Sequence, residues 1–436
     1  MKVLKFGGTS IGSAARIKNV AKLICSDEQK IVVLSAMSGT TNSLVEISDY
    51  FYKNNTSGAL EKINALEQKY RTTIDELFAT EKNKSECTEI IKSHFDYIRA
   101  FSKSVFTLFE EKAILAQGEL LSTAMFHLYL NELGVKNALL PALEYMRIDK
   151  NAEPNTAYIA EHLKKQLEQH TDANTYITQG YICRNFYGEV DNLQRGGSDY
   201  TASLIGAAIN SKEIQIWTDI DGMHNNDPRI VEGTQAVRVL HFEEAAELAY
   251  FGAKILHPTC ILPAKLNNIP VRLLNTMQPE AEGTLISNKI CEKEIVAVAA
   301  KDNITAIKIK SGRMLLAYGF LRKVFEVFES YRTPIDMVTT SEVGVSVTID
   351  NAKHLDEIVN DLKKFGTVTV DTDMVIICVV GDMPYENVGL QAKVVNALKE
   401  IPVRMISYGG SNYNVSFLVK SEDKVRALQA LSGNLF

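Results

Sequence analysis

Val3-Leu4-Lys5-Phe6-Gly7-Gly8-Thr9-Ser10 is the stretch from which the fold follows. Its first four residues read as a short strand and the glycine pair as a turn. From about Ser13 to Ile24, apolar Ile17, Val20, Ala21 and Ile24 then recur on one helical face. Ile31-Val32-Val33-Leu34 has no polar break, as expected of a strand buried on both faces of a parallel sheet, and a second helix begins near Asn42. This alternation of β and α predicts an α/β domain.

Working outward, Leu60 to Leu133 contains one glycine, Gly118, and no proline, with apolar and charged residues at helical spacing, so a helical excursion is expected over about 57–133. Alternation resumes with strands near Tyr176-Ile177-Thr178 and Ile214-Gln215-Ile216-Trp217. Helices follow at Tyr200 to Ile209 and Phe242 to Phe251, then a strand at Val271 to Leu274. This closes a first domain, 1–288. Asn288 to Glu294 is polar and charged, a boundary. Beyond it, strands at Ile304 to Ile309 and Val343 to Ile349 and helices at Phe320 to Glu329 and Leu355 to Lys363 precede a similar series. That series has strands at Val375 to Val380 and Asn414 to Val419, with helices at Val388 to Leu398 and Glu422 to Leu431. Two small βαβ-type units in tandem are the simplest reading of 295–436.

With 436 residues, 46% of them hydrophobic, the chain can build two or three cores. A net charge of -6 without a basic cluster argues against nucleic acid. The six cysteines, Cys25, Cys87, Cys183, Cys260, Cys291 and Cys378, form no C-x-x-C pair, which speaks against a disulfide scaffold or a zinc site and for a reducing cytosol. No apolar run has the roughly 18 to 20 residues that span a bilayer. Met1 leads straight into a strand, so a soluble cytoplasmic protein without a signal peptide is expected.

Neither a P-loop nor a G-x-G-x-x-G fingerprint is present. Lys5 to Ser10 offers another way to hold phosphate. Paired glycines admit backbone N–H groups to an anion, a helix N-terminus points at it, and Lys5 adds a charge, although such a pair is more often just a turn. Arg195-Gly196-Gly197-Ser198-Asp199 sets a guanidinium fork beside open backbone, suited to a carboxylate, while Ser198 or Asp199 could equally cap the next helix. Trp217 to Arg229 leaves a strand as a polar loop, where open α/β sheets bind ligands. In Phe251 to Pro258, Gly252 can end a helix and free Lys254 to reach a phosphate, whereas His257 reads as structural because no nucleophile partner lies nearby.

These motifs, with Ser35 to Asn42 (S-A-M-S-G-T-T-N), Gly118-Glu119 and Thr339 to Val343 (T-T-S-E-V), occur in an order that resembles the aspartate kinase family over essentially the whole chain, nearest to monofunctional, lysine-sensitive members. The resemblance implies an amino-acid-kinase three-layer α/β sandwich around a mostly parallel sheet with a helical insertion. Two ferredoxin-like (βαββαβ) ACT domains would follow, the first about 311–372 and the second about 295–310 plus 373–436. It implies ATP, with Mg²⁺, bound by Lys5, Phe6, Gly7, Gly8, Thr218, Asp219, His224, Arg229, Lys254 and Ile255. L-aspartate would be held by Thr41, Glu119, Arg195, Gly196, Gly197 and Ser198. Lys5 and Asp199 would be catalytic, with no metal ligands from the protein. Met314, Phe320, Leu321, Pro334, Ile335, Asp336, Ser341 and Glu342 would line an effector pocket, for lysine ahead of threonine. Three positions depart from the family: His224 stands at a usual tyrosine, Gln117 precedes Gly118, and Ala317 replaces a hydroxyl. A homodimer or larger homo-oligomer is expected, paired at exposed sheet edges.

Two rivals stay in view. An acetylglutamate or glutamate kinase would share the fold, but Glu119 would face no cation in an N-acylated substrate. A non-catalytic amino-acid sensor would have no reason to keep Lys5, Arg195, Asp199 and Lys254 together.

Overall fold

The computed structural model describes residues 1–103, 105–193, 196–252, 257–289, 293–312 and 318–436. In chain order its elements begin with β1 (Lys2–Phe6), α1 (Ala14–Ile24), β2 (Lys30–Leu34), α2 (Thr40–Tyr52), α3 (Thr56–Leu77), α4 (Glu81–Ala100) and α5 (Leu108–Glu132). They continue with β3 (Asn137–Leu140), α6 (Ala142–Tyr145), α7 (Thr156–Glu168), β4 (Thr175–Gln179), β5 (Ile182–Arg184), β6 (Val190–Asn192), α8 (Gly197–Ala208) and β7 (Ile214–Thr218). Next come β8 (Met223–His224), β9 (Ala236–Val237), β10 (Val239–His241), α9 (Phe242–Tyr250), α10 (Pro258–Leu266), β11 (Val271–Asn275) and β12 (Thr284–Ser287). The chain closes with β13 (Ala297–Lys310), α11 (Phe320–Ser330), β14 (Val338–Ser341), β15 (Gly344–Ile349), α12 (Leu355–Leu362), β16 (Thr367–Val380), α13 (Leu390–Ala397), β17 (Met405–Tyr408), β18 (Asn414–Lys420) and α14 (Lys424–Leu435).

Contacts divide the chain into two compact units, Met1–Met223 with Ile255–Asn288 and His224–Lys254 with Lys289–Phe436. In the first, the strands lie in the order β12-β11-β7-β1-β2-β4-β3. All pairs are parallel except β11 with β12. Lys5 is opposite Val33 on one side and Ile216 on the other, so β1 is central. Alternation along β1 and β2 makes the layers. Leu4, Phe6, Val32 and Leu34 join one core with the apolar faces of α1 to α5. Val3, Ile31 and Val33 are as fully buried and face the opposite side, where α8 packs on β1, β2 and β7. The Ser13 hydroxyl caps α1 by accepting from Arg16 N. Burial of Ile17, Val20 and Ile24 then contributes roughly 1.5–3 kcal/mol per side chain. The expected helical excursion is α3, α4 and α5, whose Ile63, Tyr70, Ile91, Phe95 and Phe126 share this same core.

The sequence reading assigned 224–254 to the first domain, whereas its contacts place it in the second unit. Asn225 O accepts from Val298 N at 2.8 Å, Asn226 Nδ2 donates to Leu428 O at 3.1 Å, and Glu247 accepts from Asn414. The second unit's sheet runs β14-β15-β13-β16-β18-β17, all antiparallel. It has two cores. One gathers α11 and α12 on the Ile307–Ile309 end of β13, the other α13 and α14 on the Val375–Val379 end of β16. Each half has the ferredoxin-like strand order. The reading gave all of 295–310 to one half; β13 instead serves both, since Thr305 to Lys310 also pair with β15.

Candidate active site

The site is built at the carboxyl end of β1, where the chain leaves the sheet at Gly7-Gly8. A Cβ at Gly8 would stand 2.7 Å from Ala36 O, and Ser38 N donates to Gly8 O at 3.1 Å. Only glycine lets the turn after β1 press against the Ser35–Gly39 segment after β2. The second turn approaches equally closely. Gly196 has φ +85, and a Cβ there would meet Cys260 Sγ at 2.3 Å; a Cβ at Gly180 would meet Ser198 Cβ at 2.4 Å. These contacts bring the first residues of α8 over the ends of β1, β2 and β4. The Ser35 hydroxyl donates to Ser198 Oγ at 2.8 Å, and Asp199 Oδ1 lies 2.6 Å from Lys5 Nζ. The two glycine-bearing turns face each other through Lys5 and Asp199.

Glu119 projects from α5 beneath this meeting point. Its Oε1 accepts from Ala36 N at 3.2 Å, and its Oε2 is buried without a hydrogen-bond partner. Burial pushes its carboxyl up to about 8, with the Ala36 N–H, its own backbone N–H and the Lys5 charge acting against the shift. A buried carboxyl with one orphaned oxygen is a ready counter-charge for a ligand cation. Ser122, one turn on, donates to Ser35 O at 2.8 Å and ties α5 to the same segment.

The other expected site residues belong to several different elements. Phe6 is buried and stacked on Trp217, with ring centroids 5.6 Å apart. Thr218 ends β7, next to β1, and its Oγ1 accepts from Ile220 N at 3.1 Å; Asp219 follows it, exposed. Thr41 lies exposed in the first turn of α2, while its neighbour Thr40 is buried against the Tyr70 hydroxyl. His224 and Arg229 belong to the second unit. There His224 Nδ1 lies 3.2 Å from Thr234 Oγ1, and Arg229 grips Asp227 with Nε and Nη2 at 2.9 and 2.7 Å. Arg195, Lys254, Ile255 and Met314 lie outside the described residues. His257 caps α10, its Nδ1 accepting from Thr259 N at 3.3 Å.

Among the expected effector residues, Phe320 is buried at the start of α11, Ile335 is half-buried, and Leu321, Pro334, Ser341 and Glu342 are exposed. Asp336 is distinct. Its side chain is 1% exposed, and Oδ1 takes the Lys301 ammonium at 2.6 Å and the Tyr250 hydroxyl at 3.0 Å. Its Oδ2 has no partner. Lys301 also meets Asp350 at 2.9 Å and lies 4.5 Å over the Tyr250 ring. Burial raises the Asp336 carboxyl, Lys301 counters that shift, and Asp350 adds to it. Sequence reasoning missed Lys301, Tyr250 and Gly180, because nothing local distinguishes them, and it placed Ser35 in a motif without giving it a role.

A model of the amino acid kinase family matches residues 1–275, and one of the ACT domain matches 377–435. Aspartokinase 3, chloroplastic, of Arabidopsis thaliana is 36% identical over 462 residues, covering 100% of this chain and 81% of the relative. This chain belongs to the aspartokinase family. Lysine-sensitive aspartokinase 3 of Escherichia coli is 32% identical over 447 residues, covering 100% of this chain and 99% of the relative. The crystal structure of E. coli aspartokinase III with aspartate and ADP superposes with a TM-score of 0.86 at 31% identity, and its complex with lysine and aspartate with 0.81 at 32%. These structures cover 100% of this chain and 100% and 99% of their own. As an aspartokinase-family member the chain is an ATP-dependent kinase with an amino acid kinase domain followed by ACT domains. Among the described residues no helix is long and apolar enough to cross a membrane, and no cluster of three or more His, Cys, Asp or Glu could hold a metal.

Proposed function

We propose that this protein transfers the γ-phosphoryl group of MgATP to the β-carboxylate of L-aspartate. The products are 4-phospho-L-aspartate and ADP, the first step toward lysine, threonine and methionine. The observation that carries this reading is the buried Glu119 carboxyl, with one oxygen unpaired, beneath a Lys5–Asp199 pair 2.6 Å long. The acceptor carboxylate, with a pKa of about 3.9, is already ionised at neutral pH, so no general base is needed. One of its oxygens attacks the γ-phosphorus in line, and the bond to the β,γ-bridging oxygen breaks as ADP leaves.

Catalysis is then positioning and charge stabilisation. Asp199 holds the Lys5 ammonium toward the transferring phosphoryl group, and the Gly7-Gly8 turn lets backbone N–H groups approach the phosphates. Magnesium comes as part of the nucleotide substrate, ligated by its phosphates, since Asp199 is engaged by Lys5. Glu119 receives the α-ammonium, and Arg195 with the Gly196 to Ser198 turn receives the α-carboxylate. Thr41, Thr218, Asp219 and Ile255 complete the two sites.

In the second unit, Asp336 is the anionic end of an effector pocket, with lysine as the effector. The family match over 1–275 supports a catalytic domain of 1–288, including the segment 224–254, which its contacts group with the second unit, and the tandem ACT region is 295–436. The end strands β14 and β17 offer edges for pairing with a second copy, giving a homodimer or larger assembly in the cytoplasm. An ATP-dependent hydroxamate assay on L-aspartate, N-acetylglutamate and glutamate tests the assignment. Turnover of L-aspartate alone is expected, and turnover of N-acetylglutamate in its place overturns it.

A further inference from the structure

Asn192, the last residue of β6, is 8% exposed, and neither its Nδ2 nor its Oδ1 has a hydrogen-bond partner. A buried primary amide with both ends unsatisfied costs a few kcal/mol by the usual scale, and native proteins keep few of them. Its immediate neighbours do not require it. Asp191 is already satisfied by Lys112 Nζ at 2.7 Å and by the Asn192 backbone N–H at 2.7 Å. The β5–β6 hairpin closes by backbone pairing of Ile182 with Asn192 and by Leu193 N donating to Tyr181 O at 2.7 Å. The carboxamide is therefore left without a close hydrogen-bond partner, beside the Tyr181 phenol.

Its position explains what it is left over for. Tyr181 sits between β6 and the second glycine turn. It is held at φ +67, its N–H bonded to Thr201 Oγ1 at 2.9 Å and its ring so close to Gly197 that a Cβ there would meet Cδ2 at 2.9 Å. Burial raises the Tyr181 phenol, the nearby Asn192 side chain acts against that shift as a long, loose hydrogen-bonding neighbour, and the charges of Glu119, Glu111 and Asp191 add to it. Asn192, Tyr181 and Glu119 thus form one polar neighbourhood beside the turn at Gly196 to Ser198.

We infer that the Asn192 side chain contacts the α-amino-acid end of the acceptor substrate and sets specificity for it, an inference that rests on the aspartate-site reading above. An ammonium has three N–H donors, and Glu119 Oε2 alone leaves it under-satisfied. Asn192 Oδ1 accepts a second one, and Nδ2 donates to the α-carboxylate. As a neutral group it does so without repelling either charge. The class it selects is an α-amino acid with both α groups free, and it disfavours acceptors whose amine is absent or acylated.

Purified wild type, N192L and N192S would be compared in the hydroxamate assay for kcat and for KM of L-aspartate and MgATP, with thermal melts taken with and without L-aspartate. N192L removes an orphaned amide at similar volume, so its unliganded melting temperature should equal or exceed wild type. KM for L-aspartate should rise about tenfold in both variants, with KM for MgATP within about twofold and loss of most of the aspartate-induced melting shift. If N192L does not fold, N192S decides by the same KM. An active wild type with unchanged aspartate KM in the variants overturns this inference alone. A wild type inactive on L-aspartate but active on another acceptor overturns the aspartate-site reading as well.

Discussion

The Lys5 ammonium lies 2.6 Å from the Asp199 carboxylate, each residue coming from a different glycine-bearing turn. With both side chains mostly shielded, at 12% and 16% exposure, the pair fixes the Lys5 positive charge, which in the proposed reaction meets the transferring phosphoryl group. Lys5→Ala should lower kcat by about 10³-fold or more, while its melting temperature stays within a few degrees of wild type. Asp199→Asn keeps the charge but releases its anchor, and should lower kcat less than Lys5→Ala does. Steady-state kinetics and calorimetry check both; a Lys5→Ala enzyme with a tenth of wild-type turnover refutes the role.

If Glu119 receives the substrate ammonium as proposed, L-aspartate binding should depend on pH. Its carboxyl titrates at about 8 without ligand, and the substrate ammonium needs the ionised form. KM for L-aspartate should therefore fall by about tenfold per pH unit as pH rises toward 8, then level off. The stability effect has the opposite sense. From pH 4.5, the group's ordinary value, to about 8, the folded chain keeps a proton that the unfolded chain has lost, so this group makes the fold less stable as pH rises. Glu119→Gln should melt at or above wild type at pH 8 yet lose about 10²- to 10³-fold in kcat/KM for L-aspartate. Melts and kinetics across pH 6–8.5 test both; a flat aspartate KM in wild type contradicts the assignment.

In the second unit, Lys301 pairs with Asp336 Oδ1, so in the proposed effector pocket it would compete with a cationic ligand for that carboxylate. Lys301→Met should lower the lysine concentration for half-inhibition, by about tenfold, because an internal competitor for Asp336 is gone. Asp336→Asn should abolish lysine inhibition and leave kcat intact. Inhibition curves on the two variants check this, and unchanged curves in both would exclude Asp336 from the effector site.

Gly8 is the position where a single methyl should do the most damage. Its Cβ would press on the Ala36 carbonyl at 2.7 Å, forcing apart the turns after β1 and β2. Gly8→Ala should reduce kcat/KM for MgATP by at least about 10²-fold, whereas the same change at Gly433, whose φ is not positive and whose Cβ would meet nothing within 4 Å, should not reduce it.

What was legible in the sequence was whatever local chemistry dictates. The strand, glycine pair and helix of β1 and α1, the unbroken run of β2 and the prolineless stretch of α3 to α5 each carry their own period. Lys5 and Asp199 stood out as charged residues within glycine-bearing stretches, whereas Glu119 came only through the resemblance to the aspartate kinase family. The short β5 and β6 were not legible, because three-residue strands carry too little alternation, nor was α10, whose Pro258 and Pro263 disguise a helix. Asn192, Tyr181, Lys301 and Tyr250 were missed for another reason. An asparagine or lysine becomes informative only once folding has removed its water or supplied its partner.

The long strands β13 and β16, 14 residues each, cross the whole second unit side by side, and their one irregular stretch begins between Lys301 and Ile304, where Asn303 takes φ +61. Such a pair acts as a stiff spine with a single compliant joint. Lys301, which reaches Asp336, stands at that joint. A ligand that shifts Lys301 would therefore flex the spine where it yields most easily, and the two halves would answer as one lever rather than as separate receptors.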